Sequence, residues 1–314
     1  MTTPDTTNTR PPLCGVLSVF QTPYHDDESI DFDTLEMEIG WLYDQGANGL
    51  VMAMVSEVLR LSTDEREHLA EFVCRVGRDR GAVVISVGAE SGHTAERFAR
   101  HAEAAGADAL MAIPPVSIVL DDEELRAYYE RILTAVKIPV IVQDASGYVG
   151  RPMPISPQAR ILEDFGERVL FKPEANPVGP LLSALRDATG GQAKVFEGSG
   201  GIALVDNYRR GIVGTMPAAD LIDGVVALWN ALQAGDEERA YQLSLPISSL
   251  VALQQSLDAF LAIEKYLLVK RGVFRNAIVR GPVGYRLDEE TRAEIDRLFD
   301  LLMVALEQEP SGAE

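Results

Sequence analysis

The sequence predicts an α/β protein, a (β/α)8 TIM barrel with a C-terminal helical extension, and three observations predict it. Short apolar runs rich in β-branched residues recur eight times along the chain. Between them lie segments whose apolar residues fall at helical spacing and which end in Gly before the next run. From about residue 221 the runs stop and helical periodicity continues alone. Continuous apolar strands alternating with amphipathic helices imply a parallel sheet covered on both faces, and a count of eight implies closure. An open doubly wound sheet is the runner-up. Against it, FQTPYHDD follows the first strand where a Gly-rich dinucleotide turn would be needed.

In chain order the strands are read at residues 14–20 (CGVLSVF), 49–54 (GLVMAM), 82–88 (AVVISVG), 109–114 (ALMAIP), 139–145 (PVIVQDA), 169–174 (VLFKPE), 194–200 (KVFEGSG) and 211–218 (GIVGTMPA). Helices such as DTLEMEIGWLYDQG, TDEREHLAEFVCRVGRDRG and TAERFARHAEAAG join them. Residues 1–12 are polar and Pro/Thr-rich without an apolar signal core and are read as a disordered tail, residues 13–220 as the barrel and residues 221–314 as the extension. Apolar stripes in the extension such as FLAIEKYLLV exceed what one layer needs, which points to a subunit interface and a homo-oligomer.

Composition excludes several function classes. A formal charge of −20 would repel nucleic acid, and no 18-residue apolar stretch is available to span a membrane. The acidic residues are spread through helical segments and read as solvated faces, with adaptation to high salt as an alternative. Cys14 and Cys74 sit in apolar patterns without metal spacing, so both are read as buried thiols in a reducing compartment, which makes the protein cytoplasmic. No His/Cys/Asp cluster suggests a metal, and no cofactor is expected.

In such a barrel the chemistry lies at the C-terminal ends of the strands. Polar residues there are Thr22 and Tyr24 after the first strand, Ser56 and Glu57 after the second, Gln143 and Asp144 in the fifth, Lys172 and Glu174 in the sixth, and Glu197 and Ser199 in the seventh. The chain has only five lysines; Lys137 and Lys194 begin strands, Lys265 and Lys270 lie in the helical extension, and Lys172 alone stands at a catalytic end. An ammonium desolvated beside Val169, Leu170 and Phe171 gives up its proton more readily, leaving the neutral amine that attacks carbonyls. The alternative is a simple ion pair with Glu174, two residues on and therefore on the same strand face. Glu174 is the candidate acid/base. Ser56 is expected to hold a substrate carboxylate, unless it is only a helix cap. Gln143 and Asp144 alternate across the strand, so one of them faces inward, and Gly198 and Ser199 lie in a loop, EGSGG, that permits close approach to a ligand.

The set TPYHDD, the Ser-Glu turn of AMVSEVLRLSTDE, FKPE, EGSGG and RGIVGT resembles the dihydrodipicolinate synthase and N-acetylneuraminate lyase superfamily over nearly the whole chain. The resemblance implies a class I enzyme whose strand-six lysine, here Lys172, forms a Schiff base with a 2-oxo acid, and a homotetramer. It also marks departures. Where the family carries a tyrosine after strand four the chain has Val116, MVSE stands in place of TTGE, and VQDASGYVG replaces the family's turn after strand five. Tyr148 in that segment is a candidate replacement for the phenol or for the family's arginine.

The Ser-Glu turn, VQDA and FK-x-E resemble the 2-keto-3-deoxy sugar acid dehydratases of the superfamily, L-2-keto-3-deoxyarabonate dehydratase in particular. The activity implied is dehydration of 2-keto-3-deoxy-L-arabonate to 2-oxoglutarate semialdehyde, without a metal because the iminium is the electron sink. The alternatives are a pyruvate-dependent aldolase or synthase-type condensing enzyme, and a non-catalytic 2-oxo acid binding protein.

Overall fold

In a computed structural model that describes residues 11–308, eight parallel strands hydrogen-bond in chain order and the eighth pairs with the first, closing a barrel. The expected disordered tail lies, but for its last two residues, outside the described residues. The strands are β1 (Gly15–Val19), β2 (Gly49–Met52), β3 (Ala82–Ser86), β4 (Ala109–Ala112), β5 (Val140–Asp144), β6 (Val169–Pro173), β7 (Lys194–Glu197) and β8 (Gly214–Thr215). Helices follow them as α1 (Phe32–Asp44), α2 (Thr63–Gly77), α3 (Gly92–Ala105), α4 (Asp122–Ala135), α5 (Ile155–Phe165), α6 (Val178–Ala188), α7 (Leu204–Arg209) and α8 (Ile222–Ala234). The extension consists of α9 (Glu237–Val251), α10 (Leu257–Lys270) and α11 (Glu289–Glu307).

Each apolar run runs past the strand it contains, and β8 is the extreme case. Gly211 turns the chain at φ 90°, and Pro217 has no N–H to give to a ladder, so two residues pair regularly where eight were expected. The barrel ring also includes α8, which packs on β1, so it reaches past the boundary expected near residue 220.

Alternation along the strands sorts the core into two layers. Leu17, Val51, Val84, Met111, Ile141, Leu170 and Phe196 point inward and fill the barrel. Their neighbours Val16, Leu50, Val83, Leu110, Val140, Phe171 and Val195 point outward beneath the helices. Helix starts carry the expected caps. Ser62 and Glu65 form a reciprocal capping box on α2, and Glu65 then anchors Arg280 of the extension, which holds its carboxyl down to about 2.

Two expectations need correction. Cys14 is exposed, because β1 begins one residue later and the thiol lies outside the packed layers; Cys74 is buried on α2, which pushes its thiol up to about 12. Nor are all the acids on solvated faces: Glu38, Glu57, Glu174, Glu197, Asp220 and Glu264 are buried. Among the described residues no helix is long and apolar enough to cross a membrane.

Candidate active site

The inward phase of β6 is set by Leu170, so Lys172 and then Glu174 face the barrel axis. Both are buried, and Nζ of Lys172 lies 3.3 Å from Oε1 of Glu174. On β5 the same phase, set by Ile141, turns Gln143 inward, in register with Lys172. Its Nε2 donates to Oε2 of Glu174 at 2.6 Å. Burial pushes the Glu174 carboxyl up, and the Lys172 ammonium and the Gln143 amide pull it back only in part. The carboxyl therefore sits where it can take or give a proton.

Gly198 is what lets the pair close up. A Cβ there would stand 2.5 Å from Cε of Lys172 and 2.8 Å from Oε1 of Glu174. The three residues line, with Gln143, a cavity of about 40 Å³ at the C-terminal end of the barrel. Tyr148, from the loop after β5, reaches the same cavity, and Phe260 of α10 stacks edge-on to it at 5.3 Å between ring centroids. Burial and the charges of Glu174, Glu197 and Glu264 keep its phenol protonated by raising its pKa. An apolar wall of Met54, Ile113, Ala145 and Val116 adjoins Tyr148. A larger hollow of about 980 Å³ opens at the opposite end of the barrel, between Cys14, Asn48, Arg78 and Gln233. That end carries the starts of the strands, whereas chemistry in such barrels lies at their C-terminal ends, so the smaller cavity is the candidate site.

Other expected residues have different work. The Ser56 hydroxyl donates to the Phe20 carbonyl at 2.6 Å and accepts from the Ala53 N–H at 3.1 Å, because the single 3-10 turn Met54–Ser56 folds it down onto β1. It does not face the cavity, whereas Met54 and Val55 do. Asp144 points away from the interior, accepting the Ser146 and Met153 N–H groups at 3.0 and 2.8 Å, and so pins the loop that carries Tyr148. Glu197 accepts from Thr215 Oγ1 at 2.5 Å and from both the N–H and the hydroxyl of Ser199, which closes Ser199 into its own loop. Thr22 donates to the Ser56 carbonyl at 2.7 Å, and Tyr24 is packed between Lys265 and Arg280. Glu57 binds Lys265.

Helix α10 brings in what the sequence reading passed over. Lys265 is fully buried, and Glu264 beside it is a cavity-lining residue. The signal was present: two adjacent charges interrupt an otherwise apolar helical stripe, FLAIEKYLLV, where amphipathic spacing would put solvent-facing residues in pairs three or four apart.

The chain matches the model of the dihydrodipicolinate synthetase family over residues 12–301. It is 27% identical over 289 residues to a 4-hydroxy-tetrahydrodipicolinate synthase of Bartonella quintana, covering 90% of this chain and 96% of that one. It is 25% identical over 301 residues to an L-2-keto-3-deoxyarabonate dehydratase of Azospirillum brasilense, covering 92% and 94%. The crystal structure of a dihydrodipicolinate synthase from Rhodopseudomonas palustris superposes with a TM-score of 0.85 at 26% identity, over 94% of this chain and 99% of that one.

Proposed function

The chain belongs to the dihydrodipicolinate synthetase family, and from that premise we propose that it is a Schiff-base lyase that dehydrates a 2-keto-3-deoxy sugar acid, 2-keto-3-deoxy-L-arabonate first among them. The observation that carries the reading is the Lys172–Glu174 pair, buried in one cavity, 3.3 Å apart, with Gln143 donating to the carboxylate. The neutral Lys172 amine adds to the C2 carbonyl, Glu174 relays protons from the nitrogen to the carbinol oxygen, and the oxygen leaves as water, giving an iminium with Glu174 as carboxylate. That iminium acidifies C3. Glu174 removes a C3 proton to form the enamine, whose electrons then expel the C4 hydroxyl as water once the oxygen is protonated. Loss of a C5 proton from the conjugated iminium and protonation at C3 move the double bond to C4=C5, the resulting enol becomes the aldehyde, and hydrolysis of the imine frees the lysine.

Aldol cleavage from the same adduct would instead need a base at the C4 hydroxyl, and Val116 offers none. One observation favours that second reading: the Tyr148 phenol reaches the cavity from the next loop. A binding protein is the weaker fit, since a buried ammonium held by one carboxylate costs stability unless it serves a reaction.

The reading includes Lys172 and Glu174 as catalytic residues, Gln143 and Gly198 as substrate-side contacts, no metal, a cytoplasmic location and a homotetramer. Exposed Leu245, Leu301 and Val304 on α9 and α11 suit a subunit interface. The test is product identity with 2-keto-3-deoxy-L-arabonate. 2-Oxoglutarate semialdehyde, scored by a coupled aldehyde dehydrogenase, is expected; stoichiometric pyruvate would make the enzyme an aldolase.

A further inference from the structure

Glu264 has no part in the chemistry above, yet it shares the cavity with Lys172, Glu174 and Tyr148. It is fully buried. Its Oε2 accepts from Gln21 Nε2, and its Oε1 has no partner among the described residues. The same holds around it. Glu38 on α1 accepts the Gln21 N–H at 2.8 Å through Oε1 while its Oε2 is unpartnered, as are Oδ2 of Asp220 and Oε1 of Gln21. Four buried acceptors without a donor are costly as they stand, and protons on the carboxyls would supply the missing donors.

Among the described residues no cation hydrogen-bonds to Glu264, Glu38 or Asp220, and the pull of Lys265 on the two glutamates and of Arg271 on Asp220 is outweighed by burial. The adjacent Lys265 ammonium gives its hydrogen bonds to Glu57 and to the carbonyls of Thr22 and Ile278. Glu174, in contrast, has an ammonium at 3.3 Å and an amide at 2.6 Å. Two carboxyls on one cavity in unlike surroundings are suited to opposite halves of a proton-transfer reaction.

We propose that Glu264, supplied by the helical extension, is the catalytic acid that protonates the departing C4 hydroxyl, while Glu174 serves as the base at C3. The assignment rests on the dehydratase reading. Glu174, as carboxylate, takes the C3 proton, and the C–H pair becomes the C2=C3 bond of the enamine. The nitrogen lone pair then restores N=C2, the C2=C3 pair becomes C3=C4, and the C4–O pair leaves with the oxygen. That oxygen takes the Glu264 proton and departs as water. Glu264 ends as carboxylate and Glu174 as acid, so charge and protons balance, and exchange with solvent resets both.

Burial and the neighbouring Asp220 and Glu38 carboxyls hold Glu264 protonated well above the usual carboxylate range. Tyr148 is the less suitable source, because burial and the Glu174 and Glu197 carboxylates beside it oppose a phenolate.

The test compares Glu264→Gln with the wild type on two substrates, 2-keto-3-deoxy-L-arabonate and its analogue with fluorine replacing the C4 hydroxyl, since fluoride departs without a proton. Elimination of water should fall by ~10²–10⁴-fold while fluoride release stays at the wild-type rate. Borohydride trapping with pyruvate should be unchanged. Undiminished water elimination would overturn the proposal, and so would equal slowing of both leaving groups with trapping intact, which would make Glu264 only a positioning residue. Absence of trapping in the wild type would instead refute the Schiff-base reading beneath it. Should the variant not fold, the wild type decides by its pH profiles. A change of rate shared by both substrates reports imine formation and the C3 step. A fall in rate at high pH with the hydroxyl substrate alone reports Glu264 and its neighbours Glu38, Asp220, Lys265 and Tyr148; identical profiles would contradict the proposal.

Discussion

Two buried lysines, one at the end of β6 and one in the middle of α10, each face a glutamate, and the contrast between them separates chemistry from architecture. Lys265 spends its ammonium on the Glu57 carboxylate and on the carbonyls of Thr22 at 2.8 Å and Ile278 at 2.6 Å, with the Tyr24 ring 4.5 Å away. Three donors meet three acceptors, and nothing remains for a substrate. Lys172 has one carboxylate oxygen at 3.3 Å, a glycine beside its Cε and an open cavity. A saturated ammonium is a latch, whereas an unsaturated one beside a proton acceptor is a nucleophile in waiting.

The contrast makes the two lysines separable by mutation. Lys172→Ala should lower turnover by on the order of 10⁵-fold or more at a smaller cost in stability, because the Gln143 amide still donates to Glu174 and burial lets that carboxyl take up a proton. Lys265→Met should do the reverse. It removes the close partner of the buried Glu57 carboxylate, which keeps only the Arg60 guanidinium at 3.8 Å and the Arg280 N–H at 3.1 Å, and should cost about 3–5 kcal/mol in denaturant unfolding. Equal loss of turnover from both, with equal stability, would dissolve the distinction. Glu174→Gln should keep the cavity packed and lower turnover by ~10²–10⁴-fold in steady-state assays.

The two sites also differ in how their surroundings answer to pH. Asp220, buried near Glu264, is pushed up from 3.8 to about 7 by desolvation, against the pull of Arg271. Across that window the folded protein holds a proton that the unfolded chain has released, so its contribution to stability is complete below the lower value and is lost as pH rises through the upper. Glu65 works the other way: held at about 2 by Arg280, it favours folding above its ordinary 4.5 and loses that effect only in strong acid. Thermal stability should therefore fall from pH 4 to pH 7, and Asp220→Asn should flatten that slope; a slope unchanged in the variant would place its origin elsewhere. The smallest effect is expected at the turn after β2. Ser56→Ala leaves the Phe20 carbonyl without its donor and should cost about 1–2 kcal/mol of stability, with KM unchanged.

The barrel was legible because its signals are local and repeated: each apolar run and each helical stripe reports its own element, and period-two alternation assigns Leu170 and Lys172 to one face without a structure. The same rule left Gln143 and Asp144 undecided, because the register of that strand depends on where Ile141 packs among residues from other strands. The direction of the Ser56 hydroxyl is hidden from the sequence for a related reason. A residue at a strand's catalytic end can still point down onto the backbone of β1, and only the 3-10 turn decides that. Glu264 and Lys265 were missed because their partners, Gln21 and Glu57, are more than 200 residues away, at separations of 243 and 208. Long-range pairing of buried charge leaves no periodic trace; its only mark is two charges where a helix should be apolar.

The most direct test of the contrast is covalent. The protein is incubated with pyruvate, reduced with borohydride, digested and mapped by mass. The account predicts one reduced adduct, on the peptide that contains Lys172, and none on the peptide that contains Lys265. An adduct on Lys265, or full trapping in Lys172→Ala, would contradict it.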